Sequence, residues 1–338
     1  MALHTIQDLK IRQALPLDVK VRMSKQRIRE WINEFGIDGV YVSFSGGKDS
    51  TVLLDLVRSE YPEAKAMFVD TGLEYPEIRQ FVRTFDNVDI VKPKMNFKQV
   101  IQTYGYPFIS KEVSLKICEN RTKPDGYTVK YFTPEAEGGK PAPYNMSHYK
   151  FLLDAPFKIS HRCCAVMKKN PAKQYEKDTG RVKITGIMAT ESQLRTSNWL
   201  RHGCNAFDSK HPPSSPMSFW TEQDVLNYIK INNLKICSVY GDIVPDYETT
   251  EECEGQLDIA DYGLLSDNRK FKTTGCQRTG CMFCGYGCQV PKDRRFIRMK
   301  KTHPKQYEYI MKPISEGGLG YKEIIDWINE NGKLNIKY

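Results

Sequence analysis

The sequence contains no uninterrupted run of eighteen apolar residues, which is about the length that a membrane-spanning helix needs. Its first residues also lack the basic segment followed by an apolar stretch that marks a secretion signal. No internal repeat and no low-complexity tract is visible. We therefore expect a cytoplasmic protein with no membrane partner, and neither a disordered nor a repeat architecture.

The composition is not extreme in charge or in hydrophobicity. Hydrophobic residues make up 40% and charged residues 27% of the 338 positions, enough for one large globular domain or two ordinary ones. The 50 Lys and Arg residues exceed the 41 Asp and Glu residues, which gives a net charge of +9. That excess suits a nucleic acid, a phosphate-rich small molecule or solubility alone, so charge by itself selects no function.

Alternating β and α patterns over the first hundred residues predict the fold. Short apolar segments at residues 39–44, 64–70 and 88–91 read as strands. Helical patterns follow them from residue 52, over residues 75–85 and over residues 97–104, after an N-terminal helix over residues 19–35. This order predicts an α/β fold with a mainly parallel sheet and helices on both faces.

Later segments predict the division of the chain. Residues 105–160 lack clear periodicity and read as a long surface excursion, whereas a helix over residues 163–179 and a strand over residues 181–188 resume the alternation. A further helix begins after Thr221, and C-terminal helices are expected over residues 304–311 and 321–331. We expect an N-terminal helical segment (1–35), an α/β domain (36–233) and a smaller, irregular and helical region rich in cysteine (234–338).

The segment S-G-G-K-D-S at residues 45–50 stands between a predicted strand and a predicted helix. Such a turn offers free backbone N–H groups and the positive end of a helix dipole, which together bind anions. It is not a Walker A loop, but it resembles the PP-loop of ATP pyrophosphatases, which cleave ATP between the α and β phosphates. The resemblance implies a Rossmann-like, adenine nucleotide alpha hydrolase-like fold that binds ATP with Mg²⁺. It implies catalytic roles for Ser45, Lys48 and Asp49, and nucleotide binding by Ser45, Gly46, Gly47, Lys48, Asp49 and Ser50.

Two further segments extend the resemblance to the phosphoadenylyl-sulfate reductase-like branch of that superfamily. The D-T-G segment formed by Asp70, Thr71 and Gly72 follows the second predicted strand, where loops of an open α/β sheet line the ligand crevice. Residues 186–195 are similar to the G-x-x-x-x-E-S-x-x-R element of the branch, which implies that Ser192 and Arg195 reach a phosphate, a sulfate or the nucleotide. An ordinary turn and an ordinary capped helix are the alternative interpretations.

Six of the ten cysteines fall in two groups, which indicates metal or redox chemistry rather than disulfides. Cys163 and Cys164, followed by Cys281 and Cys284, resemble the arrangement that holds a [4Fe-4S] cluster in adenylyl-sulfate reductases, and that is also seen in PP-loop proteins of the DNA phosphorothioation type. Thiolates are the ligands that such a cluster requires. An alternative local quartet, which could bind Zn²⁺ or a cluster, consists of Cys276, Cys281, Cys284 and Cys288. The other cysteines, at positions 118, 204, 237 and 253, are expected to be ordinary residues.

The resemblance implies a PP-loop ATP pyrophosphatase that adenylylates an acceptor, releases pyrophosphate and serves sulfur transfer. A nucleic-acid acceptor is expected from the +9 charge and the basic stretches at residues 111–130 and 292–301, and a sulfur-donor protein such as a cysteine desulfurase is the expected partner, with a homo-oligomer as a further expectation. One alternative is a phosphoadenylyl-sulfate or adenylyl-sulfate reductase. The E-C-G-x-H tail of such reductases has no counterpart after Cys288, which argues against the usual reductase route. A second alternative is a non-catalytic nucleotide-sensing subunit with structural zinc.

Overall fold

The computed structural model describes residues 3–124, 126–133, 145–209, 212–246 and 270–338. The chain divides into two compact units. The first comprises Met1–Val69, Tyr75–Val91 and Lys173–Thr279, and the second comprises Asp70–Glu74, Lys92–Ala172 and Gly280–Tyr338. Each unit is therefore assembled from three separate segments of the chain. The three-part division into 1–35, 36–233 and 234–338 stays a prediction.

Strands and helices alternate through most of the described residues. The strands there are β1 (Val40–Ser43), β2 (Ala66–Val69), β3 (Val88–Val91), β4 (Phe108–Ile109), β5 (Val182–Ile184), β6 (Pro213–Ser214), β7 (Ile243–Pro245), β8 (Phe271–Thr273) and β9 (Gly285–Tyr286). The α-helices there are α1 (Ile6–Gln13), α2 (Leu17–Phe35), α3 (Lys48–Arg58), α4 (Pro76–Val82), α5 (Phe97–Tyr104), α6 (Lys111–Thr122), α7 (Asn170–Thr179), α8 (Gln193–His202), α9 (Glu222–Ile231), α10 (Arg295–Thr302), α11 (Pro304–Met311) and α12 (Tyr321–Gly332). None of the described helices is both long enough and apolar enough to cross a membrane.

A five-stranded sheet with the order β3-β2-β1-β5-β6 organises the first unit. All its neighbouring strands run parallel, and Val42 of the central strand pairs with Ala66 on one side and Ile184 on the other. Helices lie on both sides of the sheet. The predicted Rossmann-like α/β class with a mainly parallel sheet is confirmed.

The core of the first unit explains why β1 and α3 are held firmly. Val40, Tyr41 and Val42 in β1 are each 1% exposed, and Val52 and Leu53 in α3 have no exposed surface. Burying one large apolar side chain contributes about 1.5–3 kcal/mol. The strand and the helix that flank the S-G-G-K-D-S turn are thus anchored on both sides of it.

Several boundaries predicted from the sequence need correction. Helix α3 begins at Lys48, not at residue 52, so the S-G-G-K-D-S segment supplies its first turn. The strand expected over residues 181–188 is only β5, and the surface excursion expected over residues 105–160 contains the twelve-residue helix α6. That helix was missed because its apolar residues are not gathered on one face, although the Ser110 hydroxyl caps it by accepting a hydrogen bond from the backbone of Val113 (3.1 Å).

The second unit is built around a short parallel pair of strands. Phe108 and Ile109 of β4 pair with Gly285 and Tyr286 of β9. Tyr321 of α12 has no exposed surface and packs its ring 5.1 Å from that of Phe108. The helices predicted over residues 304–311 and 321–331 are confirmed as α11 and α12.

Candidate functional site

The turn between β1 and α3 requires glycine at its centre. Gly46 has a φ of +70°, which lies in the left-handed region that side chains disfavour. A β-carbon at this position would lie 2.8 Å from Val82 and 2.9 Å from Ile78, closer than real contacts allow. The backbone can therefore make this turn and enter α3 only with glycine at residue 46.

Hydroxyl groups hold the turn rigid from inside. The backbone N–H of Ser45 donates to Ser50 Oγ (3.1 Å), and the N–H of Gly47 donates to Ser45 Oγ (3.3 Å). The Ser50 and Thr51 hydroxyls both donate to the carbonyl oxygen of Gly47, at 2.9 Å and 3.0 Å. Ser45, Gly46, Gly47 and Ser50, four predicted nucleotide-binding residues, therefore form one connected loop.

Lys48 is a buried charge at the start of α3. Its side chain is 2% exposed, and Nζ donates to the carbonyl oxygen of Gln277 at 3.0 Å. Two carboxylates compensate the charge: Oε1 of Glu222 lies 3.1 Å away and Oδ1 of Asp49 lies 3.6 Å away. A buried ammonium needs such partners because burial without them is costly. An anion that enters the turn would find a cation already in position.

Asp49 differs from an ordinary surface carboxylate. Burial raises its pKa, Lys48 opposes that rise, and the charge of Glu222 adds to it. Its buried Oδ1 atom has no hydrogen-bond partner. An acceptor-only oxygen in this state is chemically suited to a hard divalent cation such as Mg²⁺.

Ser192 and Arg195 lie at the start of α8. The Ser192 hydroxyl caps this helix by accepting from the backbone N–H of Arg195 at 3.3 Å, and the Arg195 guanidinium forms an ion pair with Glu191. Burial lowers the pKa of Arg195, the charge of Arg278 lowers it further, and Asp49 opposes both. The charge of Asp49, a residue of the turn, thus acts on Arg195. The Ser192 hydroxyl, in contrast, serves as the cap of α8.

Sequence reasoning missed several residues that surround the turn. Glu222 and Gln277 contact Lys48, and Tyr240 and Thr279 place their hydroxyls beside the turn. They come from α9 and from segments near β7 and β8, far away in sequence. No local pattern marks them, because only the tertiary fold brings them to the turn.

The D-T-G segment belongs to the second unit and forms a tight, buried turn. Asp70 Oδ1 accepts from the backbone N–H of Gly72 at 3.1 Å, and Gly72 has a φ of +74°. The backbone N–H of Thr71 donates to Glu74 Oε2 at 3.1 Å. Glu74 is 9% exposed, so this turn presents a buried carboxylate within its own unit.

Glu74 connects the D-T-G turn to the cysteine segments. Its Oε1 atom lies 3.4 Å from Lys168 Nζ, and the same ammonium is close enough to Cys281 to oppose the rise in the pKa of that thiol. Burial alone would lower the pKa of Lys168, but Cys281 and Glu74 raise it. The backbone N–H of Met282 also donates to the carbonyl oxygen of Leu73, at 2.8 Å. The turn and the C-x-x-C segment are therefore joined by a backbone hydrogen bond, and Glu74 and Cys281 both act on the charge of Lys168.

The four cysteines of the family-like quartet all lie in the second unit. Cys163 and Cys164 precede a π-helical turn at Ala165–Lys169, a distortion that is frequent at functional sites. Burial raises the pKa of Cys163, and the neighbouring Cys164, Cys281 and Cys284 raise it further. For Cys281, burial raises the pKa to about 11 while Lys168 opposes the rise. The charge that a neighbouring cysteine would acquire therefore opposes ionisation of Cys163 and of Cys281.

Among the described residues, no group of three or more His, Cys, Asp or Glu side chains is already arranged as metal ligands. The donor set nevertheless suits a cluster chemically, since it combines four thiols with the cations Lys168 and Arg295. Cys276 of the alternative quartet belongs to the first unit, whereas Cys281, Cys284 and Cys288 belong to the second. Cys204 and Cys237 are buried, Cys118 is half-buried, and Cys253 lies outside the described residues.

Arg295 is a further residue of the site that the sequence patterns did not indicate. Its Nη1 donates to the carbonyl oxygen of Cys284 at 2.8 Å, and its Nη2 lies 2.7 Å from Oδ2 of Asp293. Burial would lower the pKa of Arg295, but Asp293 raises it. The pair fixes the backbone just after the C-x-x-C segment and places a positive charge beside Cys284.

Comparison with known proteins places these observations in one family. The chain matches the phosphoadenosine phosphosulfate reductase domain over residues 39–123 and 127–285. An adenosine 5'-phosphosulfate reductase of Oceanobacillus iheyensis is 25% identical over 261 residues, which cover 75% of this chain and 85% of the relative. An uncharacterized protein of Methanocaldococcus jannaschii is 34% identical over 85% of this chain, and the match spans half of that protein.

A solved structure gives a weaker likeness. The phosphoadenylyl-sulfate reductase of Candida auris, solved as a phosphate complex, covers 70% of this chain and 96% of its own, with 16% identity and a TM-score of 0.38. The family match, by contrast, covers both the S-G-G-K-D-S turn and the cysteine segments up to residue 285. The chain therefore belongs to the phosphoadenosine phosphosulfate reductase family, as a PP-loop enzyme of the reductase-like kind.

Proposed function

We propose that the protein is an ATP pyrophosphatase that activates an acceptor by adenylylation, in a reaction that transfers sulfur. The observation that carries this proposal is the state of Lys48. It is a buried ammonium in the N-terminal turn of α3, and it is partnered by a carboxylate that is 43% exposed. A buried cation with an exchangeable partner at a helix N-terminus is suited to a polyphosphate.

The first chemical step follows from this placement. An oxygen of the acceptor attacks the α-phosphorus of ATP, the bond between that phosphorus and the α–β bridging oxygen breaks, and pyrophosphate leaves with the electron pair. Lys48 and the N–H groups of the turn offset the negative charge that grows on the leaving group. Asp49 would hold the Mg²⁺ that accompanies ATP through its buried Oδ1, which accepts no hydrogen bond and lies 3.6 Å from Lys48 Nζ. Ser45 and Ser50 keep the turn in its binding shape.

In the second step, a sulfur nucleophile replaces the activated oxygen. The acceptor carbon or phosphorus forms a bond to sulfur, and AMP leaves with the oxygen that the acceptor supplied. The sulfur source would be the terminal sulfur of a persulfide carried by a partner such as a cysteine desulfurase. Its attack leaves a disulfide between the transferred sulfur and the partner's cysteine. An external thiol reductant then cleaves that S–S bond, so that the acceptor keeps the sulfur and the reductant's thiol forms a disulfide with the partner's cysteine. Cys163, Cys164, Cys281 and Cys284 would hold a [4Fe-4S] cluster, which supplies or relays sulfur, or organises the site, when it is bound.

Exposed cations support a nucleic-acid acceptor. Helix α10 buries Phe296 and Met299, and its other face is basic. The exposed cations on this helix are Arg298, Lys300 and Lys301, and Lys292 and Arg294 are exposed just before it. Phosphate contacts of this kind would make binding weaken steeply as the salt concentration rises.

A phosphoadenylyl-sulfate or adenylyl-sulfate reductase is the second candidate. It is favoured by the relatives that carry the name adenosine 5'-phosphosulfate reductase. The Lys168 ammonium also opposes the rise that burial causes in the pKa of Cys281, which is the direction that a reactive thiolate needs.

One pair of assays separates the two candidates. The anaerobically purified protein is given Mg·ATP with DNA or tRNA, and pyrophosphate is measured. In parallel it is given phosphoadenylyl sulfate or adenylyl sulfate with reduced thioredoxin, and sulfite is measured. Pyrophosphate without sulfite supports the adenylylating enzyme, and sulfite without pyrophosphate supports the reductase. Nucleotide binding without either product, in a colourless zinc protein, supports a regulatory subunit.

A further inference from the structure

A tyrosine hydroxyl occupies one of the backbone donors of the PP-loop turn. The N–H of Lys48 is the first of the helical N–H groups of α3, and such groups have no partner within their own helix. Here it donates to the hydroxyl oxygen of Tyr240 at 3.1 Å. The Tyr240 oxygen therefore lies at a position where an oxygen of a bound phosphate would also find a donor.

Tyr240 is fixed from several sides within the first unit. It is 2% exposed and ends the short 3₁₀ turn Ser238–Tyr240. Its carbonyl oxygen accepts from the backbone N–H of Gly275 at 2.8 Å, and its ring centre lies 5.7 Å from Lys48 Nζ. The hydroxyl thus has a defined position and depends on no exposed, mobile side chain.

Thr279 completes the arrangement. Its Oγ1 lies 2.6 Å from the Tyr240 oxygen, and either atom could donate in this bond. A phenol has one proton and two lone pairs. If the Lys48 N–H and the Thr279 hydroxyl donate to the two lone pairs, the phenol proton is left to donate to an anion. Burial raises the pKa of Tyr240 to about 12, so this proton is retained at neutral pH.

Gly47 leaves a space free beside the hydroxyl groups of Tyr240 and Thr279. A β-carbon at residue 47 would lie 3.2 Å from the Tyr240 oxygen and 3.4 Å from Thr279 Oγ1. The absence of a side chain leaves this space free, and hydroxyls of Ser45, Tyr240 and Thr279 border it. A site bordered by hydroxyls, backbone donors and the Lys48 ammonium matches the oxygens of a polyphosphate.

We propose that Tyr240 and Thr279 are binding residues for the terminal phosphates of a nucleoside triphosphate, and that they orient the departing pyrophosphate. This proposal rests on the function proposed above. In it, the phenol donates to a phosphate oxygen while it stays bonded to the Lys48 N–H. Thr279 orients the phenol proton. Loss of either hydroxyl therefore lowers the affinity for pyrophosphate and leaves binding of the adenosine part of the nucleotide unchanged.

Calorimetric binding of inorganic pyrophosphate and of AMP to the whole chain tests this. We expect Tyr240→Phe and Thr279→Val each to weaken pyrophosphate binding about tenfold, the effect of losing a hydrogen bond to a charged group. AMP, which has no pyrophosphate, should change by less than about twofold. Tyr228→Phe is the matched control, because it removes a buried hydroxyl that donates to Asp55 at 2.7 Å, away from the turn.

The outcomes distinguish this proposal from the function on which it rests. If the wild type binds no pyrophosphate, both fail. If the wild type binds it, Lys48→Ala does not, and Tyr240→Phe binds as the wild type does, only the role of Tyr240 is overturned. Equal losses for pyrophosphate and AMP would also overturn that role, since they would indicate general damage. If Tyr240→Phe does not fold, Thr279→Val decides, because Thr279 is only half-buried.

Discussion

The Nζ atom of Lys48 lies 3.1 Å from Oε1 of Glu222, so a carboxylate holds the cation in the first turn of α3. Glu222 is the first residue of α9, where an acidic side chain also favours the positive end of its own helix. Because a phosphate and Glu222 would compete for the same ammonium, this contact makes anion binding weaker than Lys48 alone would give.

Replacing Glu222 with Gln should therefore strengthen pyrophosphate binding. The side chain is 43% exposed, so the competing ion pair is a modest one of about 0.2–1 kcal/mol. We expect an affinity gain of up to about fivefold, measured by calorimetry. Glu34→Gln makes the same change of net charge at an exposed position of α2 and serves as the control. An equal gain in the control, or weaker binding in Glu222→Gln, would contradict the competition.

Removing one thiol of the proposed cluster should affect the metal and not the nucleotide. In the anaerobically purified protein we expect about four iron atoms per chain and brown colour. Cys284→Ser should lose most of the iron and the colour, with nucleotide affinity within about twofold of the wild type. Cys118→Ser, at a half-buried position, is the control that keeps both. Retention of iron by Cys284→Ser would exclude this thiol as a ligand.

Arg295 should protect the same site without binding metal itself. Arg295→Gln removes the bond to the Cys284 carbonyl oxygen (2.8 Å) and the pair with Asp293. Changes of this kind around a metal ligand typically cost 10- to 100-fold in metal affinity. We expect iron to be lost to a chelator about tenfold faster than from the wild type. Arg298→Gln, exposed and one turn further along α10, should behave like the wild type. Identical rates of iron loss in both variants would exclude a role for Arg295 in retaining the metal.

Local patterns in the sequence predict the parts of this protein that local chemistry determines. The strand at Val88–Val91 and the helix at Phe97–Tyr104 have the predicted bounds, because apolar spacing fixes them. The turn with Gly46 was recognisable because its conformation demands glycine. Helix α6 was missed because its apolar residues are scattered around it.

The surroundings of the site could not be predicted in the same way. Tyr240 is 192 residues away from Lys48, and Arg295 is 11 residues beyond Cys284. Neither residue belongs to a pattern with the residue that it contacts. Their positions follow from the packing of segments that are distant in the chain, and that packing leaves no local signature.

Tyr240 should also make stability depend on alkaline pH. Burial raises its pKa from 10.0 to about 12, so the phenol stays neutral in the folded protein at a pH where it ionises in the unfolded chain. The resulting stabilisation is present below pH 10 and is lost as the pH rises toward 12. A shift of one pKa unit corresponds to about 1.4 kcal/mol.

Urea unfolding at pH 8, 10 and 11 measures this dependence. The wild type should lose about 1–2 kcal/mol more than Tyr240→Phe between pH 8 and pH 11. Parallel losses in the two proteins would mean that the Tyr240 phenol is not protected from ionisation by its surroundings.

Cleavage of ATP between the α and β phosphates is tested by identifying the products that the protein makes from ATP. Anaerobic protein is incubated with Mg·ATP and with DNA or tRNA, and the phosphorus-containing products are resolved by ³¹P NMR. We expect pyrophosphate and an adenylyl group or AMP from the wild type, and neither from Lys48→Ala. ADP with orthophosphate, or the same products from Lys48→Ala, would contradict this expectation.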